Sequence, residues 1–127
     1  MTKQIIGGQM LRDGKALPLS KAVRAGDFIY ISGQLGFDKE GNIAGPDIES
    51  QTTQALTNLQ NILKDAGAAV TDIVKCTVWI ADEKDFASFN KIYSSVFVTE
   101  PPARSCIPSK LLFNALVEIE AIVYKPL

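Results

Sequence analysis

Residues 47–80 read DIESQTTQALTNLQNILKDAGAAVTDIVKCTVWI, and this stretch decides the fold. Asp47 can cap a helix that carries Glu49 and Ser50 in its first turn. Ala55, Leu56, Leu59, Ile62 and Leu63 recur at helical spacing, and Gly67 stands where a left-handed C-terminal residue is wanted. The next apolar run, Ile73-Val74-Lys75-Cys76-Thr77-Val78-Trp79-Ile80, reads as a strand with Val74, Cys76, Val78 and Ile80 on one face. Further on, Phe86, Phe89, Asn90, Tyr93 and Phe97 mark a second amphipathic helix, from Glu83 or Asp85 to Val96. Two final strands surround Arg104 and Glu118. Towards the N-terminus, Lys3-Gln4-Ile5-Ile6 is a short strand ended by Gly7-Gly8, with a loop running through Pro18. Ser20 to Arg24 and Phe28 to Gly33 form a hairpin about a Gly26-Asp27 turn. Residues 37–46 read as loop. Strands followed by helix–strand units predict an α/β sandwich, a single domain over residues 1–127, with one sheet covered on one face by two helices. Tyr30, Ser32, Thr77 and Trp79 alternate onto the other face, which suits a subunit interface or a ligand cleft; oligomerisation is the expectation.

Composition narrows the chemistry. A chain of 127 residues with 46% hydrophobic and 21% charged residues can bury a core without staples. Net charge is −1, and no basic stripe tracks a phosphate backbone, so nucleic acid is not an expected partner. No apolar run is long enough to span a bilayer and none resembles a signal-peptide core, which predicts a cytoplasmic protein with no membrane partner. The chain has no histidine, which excludes Ser-His and Cys-His nucleophile pairs within one chain and removes the commonest zinc ligand. Cys76 and Cys106 form no metal-binding cluster and are expected to be free thiols. Carboxylates, arginine, a thiol, hydroxyls, backbone groups and water are what remain.

One segment concentrates such groups. In Glu100-Pro101-Pro102-Ala103-Arg104-Ser105-Cys106 the prolines fix φ and set the angle at which the next strand begins. Arg104 then offers a planar, permanent charge suited to gripping a carboxylate through two hydrogen bonds. Downstream, Val117-Glu118-Ile119-Glu120-Ala121 supplies carboxylates able to move protons or hold water. The alternative is a structural arginine paired with one of these glutamates.

Pro18-Leu19-Ser20-Lys21-Ala22, Ile31-Ser32-Gly33-Gln34, Asp72-Ile73-Val74-Lys75, Asp85-Phe86-Ala87-Ser88-Phe89-Asn90, Pro102-Ala103-Arg104-Ser105 and Val117-Glu118-Ile119-Glu120-Ala121 run in one order over nearly the whole chain. This ordered set resembles the Rid family, the reactive intermediate deaminases also called YjgF-like proteins. The resemblance implies a chorismate-mutase-like fold assembled as a homotrimer, with ligand clefts between subunits. It implies cofactor-independent hydrolysis of 2-imino or enamine acids, such as 2-aminoacrylate, to 2-oxo acids and ammonia. In that picture Arg104 binds the substrate carboxylate, Glu118 positions water with Glu120 as the nearby alternative, and Ser32, Asn90 and Cys106 line the cleft.

The residues' own chemistry is compatible with this. An imine carbon beside a carboxylate is already electrophilic, so anchoring, an ordered water and proton transfer suffice. Strand alternation groups Arg104 with Cys106, and Glu118 with Glu120, and these four groups could converge if their strands are close. Cys106 reads as a lining group rather than a thiolate nucleophile. One position departs from the pattern: Leu19 stands where many deaminating members carry tyrosine, and it offers neither hydroxyl nor π-face. The interval from Arg104 to Glu118 is also slightly short. Both bear on substrate choice. They leave open a deaminase for a larger, aminomuconate-like acid, or a binder of 2-oxo acids without turnover.

Overall fold

The computed structural model describes residues 2–127; Met1, the first residue of the expected 1–127 domain, lies outside the described residues. Six strands form one mixed sheet: β1 (Gln4–Arg12), β2 (Lys15–Ala25), β3 (Phe28–Gln34), β4 (Ile73–Ile80), β5 (Ala103–Pro108) and β6 (Val117–Tyr124), in the order β1-β2-β3-β6-β4-β5. All neighbours are antiparallel except β4 and β5, which are parallel and joined through a helix. Two helices, α1 (Ile48–Asp65) and α2 (Phe86–Val96), cover one face. The expected architecture is therefore present.

Helix α1 is bounded as its sequence predicts. The Asp47 carboxylate accepts hydrogen bonds from the Ser50 amide at 2.9 Å and the Ser50 hydroxyl at 2.8 Å, and these hold its pKa below the usual value. At the other end Gly67 takes φ +71°, and the Ala68 amide donates to the Leu63 carbonyl at 2.9 Å, a Schellman closure. The apolar stripe of α1, with Phe89 and Tyr93 of α2, packs on Ile29, Ile31, Cys76, Val78, Val117, Ile119, Ala121 and Val123. Gly36 is tight against α1, where a Cβ would come within 2.7 Å of the Gln51 carbonyl oxygen. Gln51 is itself buried, donating to the Gly45 carbonyl and accepting from the Leu116 amide.

Four local expectations are corrected. Gly7-Gly8 does not end β1: both residues take φ near +75° within a bulge, and the strand resumes to Arg12. The expected loop before Pro18 is consequently a hairpin turning at Asp13-Gly14, and Pro18 falls where the β1–β2 register is irregular, so its missing amide breaks no regular ladder. In β4 the register shifts between Ile73 and Lys75, so Ile73 is buried and Val74 is exposed. Finally, Glu83–Asp85 form a short 3-10 turn, capped by Asp82, that precedes α2.

Among the described residues, no helix or strand covers the second sheet face. Ile5, Val23, Tyr30 and Ile122 align laterally across it, and the Phe28 and Tyr124 rings meet at 5.3 Å. Tyr30, Phe28, Tyr124 and Ile5 are all exposed.

Candidate functional site

Lateral register decides which side chains share a face. Arg104 lies beside Cys76, and Cys106 beside Val78; both β4 partners are fully buried in the helix-covered core. Arg104 and Cys106 therefore point to the helix side. Glu118 lies beside Trp79 and Glu120 beside Thr77, on the open face. The expected convergence of Arg104, Cys106, Glu118 and Glu120 within one chain is thus corrected. Alternation within each strand was right, but the strands are registered so that the arginine and the glutamates face opposite ways. The result is two separate clusters.

The first is built by β5 and α2. One Arg104 guanidinium nitrogen donates to Asn90 Oδ1 at 2.8 Å. The guanidinium carbon lies 4.7 Å from the Tyr93 ring centroid, 5.6 Å from Phe89 and 5.7 Å from Phe86. Helical spacing puts these four α2 residues on one face, so a single helix supplies both an aromatic platform and an orienting acceptor. Among the described residues the ion pairs are Lys84–Asp82 and Lys125–Asp72, and Arg104 joins neither. The structural alternative, an arginine paired with Glu118 or Glu120, is therefore excluded within one chain. The rest of its fork is available to an anion. Burial raises the Cys106 thiol above its ordinary pKa, against the lowering influence of Arg104, so at neutral pH it is a thiol that lines the site. The Tyr93 hydroxyl is buried beside Cys76, and both groups are held protonated chiefly by burial.

The second cluster lies on the open face where β2, β3 and β6 adjoin. The Glu118 side chain rests directly over Gly33: a Cβ there would overlap its Oε2 and stand 2.9 Å from its Cδ. Glu118 is half-buried, and loss of water, then the Glu120 charge, raise its pKa above the ordinary carboxylate value. The Ser32 hydroxyl donates to the Ser20 carbonyl at 2.6 Å, tying β3 to the stretch that holds Leu19. Leu19 is exposed. Of the residues named from sequence, then, Arg104 and Asn90 come together with Cys106 on the same strand face, while Glu118 and Glu120 lie on the open face and Ser32 is tied to the stretch that holds the exposed Leu19.

Sequence reading missed two groups. In the sequence Phe86, Phe89 and Tyr93 mark only an amphipathic helix, although their spacing with Asn90 is that of the face that meets the arginine. Gly33 was read as the end of a strand; nothing in its neighbours signals that it makes room for a carboxylate from β6.

Comparison with known proteins agrees with this architecture. The family model described as Endoribonuclease L-PSP matches residues 13–125. A RutC family protein of Pyrococcus abyssi is 43% identical over 110 residues, covering 85% of this chain and 87% of the relative. The chloroplastic Reactive Intermediate Deaminase A of Arabidopsis thaliana is 40% identical over 107 residues, 83% of this chain and 57% of that protein. Among solved structures, the Rid family protein YyfA from Yersinia pestis superposes with a TM-score of 0.87 at 34% identity, over 97% of this chain and 99% of its own. TdcF of E. coli, crystallised with bound serine, gives 0.85 at 31% identity, over 96% and 98%. No helix among the described residues is long and apolar enough to cross a membrane, and the relatives include proteins named as mitochondrial and chloroplastic. On matched span, identity and shared fold, the chain belongs to the Rid, or YjgF-like, family.

Proposed function

We propose that this protein hydrolyses reactive 2-imino acids, and their enamine tautomers such as 2-aminoacrylate, to 2-oxo acids and ammonium without a cofactor. One observation carries the reading: Arg104 is oriented by Asn90, backed by three aromatic rings and, among the described residues, paired with no carboxylate. A small carboxylate completes such a site, because a bidentate charge-assisted pair supplies the missing counter-charge. The deaminase name of the Arabidopsis relative supports the same class of reaction.

Glu118 is the proton carrier in this scheme. Water adds to C2 of the iminium, and the C=N π electrons move to nitrogen. The excess proton on oxygen passes through the Glu118 carboxylate to the amino group. The resulting C(OH)–NH3⁺ collapses to C=O, the C–N bond breaks with its electrons on nitrogen, and the hydroxyl proton converts ammonia to ammonium. The balance is iminium plus water to 2-oxo acid plus ammonium. A carboxyl group whose pKa is raised takes up and returns a proton near neutrality more readily than an ordinary one.

Arg104 and Glu118 face opposite sides of one sheet, so a ligand touching both needs two copies. β5 is a sheet edge, and the open face is rich in exposed aromatic residues. We therefore assign a homotrimer in which Arg104, Asn90 and Cys106 of one copy meet the Glu118, Ser32 and Leu19 side of its neighbour. The unpaired thiols Cys76 and Cys106 favour a cytoplasmic setting. RNA cleavage gains no support from 13 basic against 14 acidic residues and no histidine.

The test generates 2-aminoacrylate in situ from serine or cysteine and follows pyruvate, with wild type and Arg104→Ala. Acceleration by wild type alone is expected, with a loss of at least 10²-fold in the variant, because two charge-assisted hydrogen bonds go. Folded wild type that binds 2-oxobutanoate but accelerates nothing would instead make this a 2-oxo acid binder, a reading the missing tyrosine hydroxyl at Leu19 would then explain.

A further inference from the structure

Next to Arg104 lies a pocket of about 240 Å³ lined by Ile80, Glu83, Phe86, Cys106 and Pro108. Two of its walls belong to the arginine site. The Phe86 ring lies 5.7 Å from the guanidinium carbon, and Cys106 follows Arg104 by one alternation on the same side of β5. Ile80 and Pro108 are lateral partners at the ends of the parallel strands, and close the floor with apolar surface. Glu83 sits in the 3-10 turn between β4 and α2, exposed at the pocket. Among the described residues it has no ion-pair partner, since the adjacent Lys84 pairs with Asp82 at 3.5 Å.

A ligand whose carboxylate is on Arg104 and whose side chain runs along Phe86 enters this partly open pocket, whose lining is mostly apolar. The one-carbon side chain of 2-aminoacrylate leaves most of that space unfilled. A longer, uncharged chain fills it and gains the transfer free energy of each buried methylene. An acidic side chain meets the Glu83 carboxylate at the solvent-exposed rim of the pocket, where like-charge repulsion is screened by water and salt but still unfavourable. We propose that this pocket holds the substrate side chain and that Glu83 selects extended neutral 2-imino acids over acidic ones. The inference rests on the deaminase reading for its substrate, and on pocket geometry for its selectivity.

The experiment forms imino acids in situ from alanine, methionine and glutamate with flavin amino-acid oxidases and catalase, and measures acceleration of 2-oxo acid release over spontaneous hydrolysis. The methionine-derived imine is expected to exceed the alanine-derived one in kcat/KM by at least about tenfold. It is expected to exceed the glutamate-derived one by more, with the acidic penalty shrinking as salt rises. In Glu83→Gln the methionine-to-glutamate ratio should fall by about threefold, the scale of one exposed charge–charge contact. An unchanged ratio in Glu83→Gln, or equal rates for alanine- and methionine-derived imines, overturns the proposal. If no imine is turned over, the deaminase reading fails on its own. Calorimetry with pyruvate, 4-methylthio-2-oxobutanoate and 2-oxoglutarate then decides the pocket by the same ratios in Kd.

Discussion

A methyl group at Gly33 offers a sharp test of whether Glu118 works from where it sits. The alanine Cβ would overlap Glu118 Oε2 and lie 2.9 Å from Cδ and 3.2 Å from Cγ, so the carboxylate must retreat by about an ångström. The atoms in the way belong to the end of a flexible side chain, and Gly33 is not among the glycines with positive φ. Folding should therefore tolerate the change, with the stiffer unfolded chain contributing about 0.4–1 kcal/mol of stability. Catalysis should not tolerate it: displacing a proton carrier by about 1 Å costs on the order of 10²-fold in rate. Gly33→Ala is expected to keep its melting temperature within a few degrees and to lose about 10²-fold in kcat on the imine substrate. Glu118→Gln should lose at least as much, and the double variant little more than Glu118→Gln alone, because both changes remove one function. Full additivity in that cycle, or a Gly33→Ala enzyme within threefold of wild type, would refute the reasoning.

Two further outcomes follow from the same geometry. Tyr30→Glu puts a charge at the centre of the exposed Ile5–Val23–Tyr30–Ile122 row, and light scattering should find monomers with no deaminase activity; an active trimer would disprove the assigned interface. Glu118 has a folded-state pKa above its ordinary value of 4.5, so its contribution to stability is fully present below that value and is lost as pH rises through the folded pKa. Thermal melts of Glu118→Gln against wild type should coincide in acid and diverge in the variant's favour at neutral pH; a constant difference across pH would count against the raised pKa.

Much of this was legible in the residues. The periodicity of residues 48–65, the Asp47 cap and the Gly67 stop define α1 without help from the rest of the chain, and β3, β4 and α2 follow with small boundary shifts. What local pattern could not carry was pairing. The glycines at 7 and 8 look like a stop because a bulge and a turn draw on the same positive-φ freedom, and only the partner strand β2 distinguishes them. The placement of Val74 failed for the same reason, since a one-residue bulge shifts which residue is buried. The site repeated the problem at larger scale. Alternation grouped Arg104 with Cys106 and Glu118 with Glu120, but the sequence holds no signal that β4 stands between them with Cys76 and Trp79 as their respective partners.

The two clusters also differ in how they come into being. Arg104 and Asn90 lie 14 residues apart, inside one strand–helix–strand unit, so closing that loop is entropically cheap and the arginine can find its aromatic platform early. Glu118 reaches its seat over Gly33 only when β6 pairs with β3, across most of the chain, and such long-range pairing is slow to form. On the proposed roles, the short-range contact puts the anion grip ahead of the proton carrier in the order of folding, which time-resolved folding of wild type would check. Misfolded or half-assembled copies would capture carboxylates without converting them, and chemistry would wait for the last strand and the neighbouring copy.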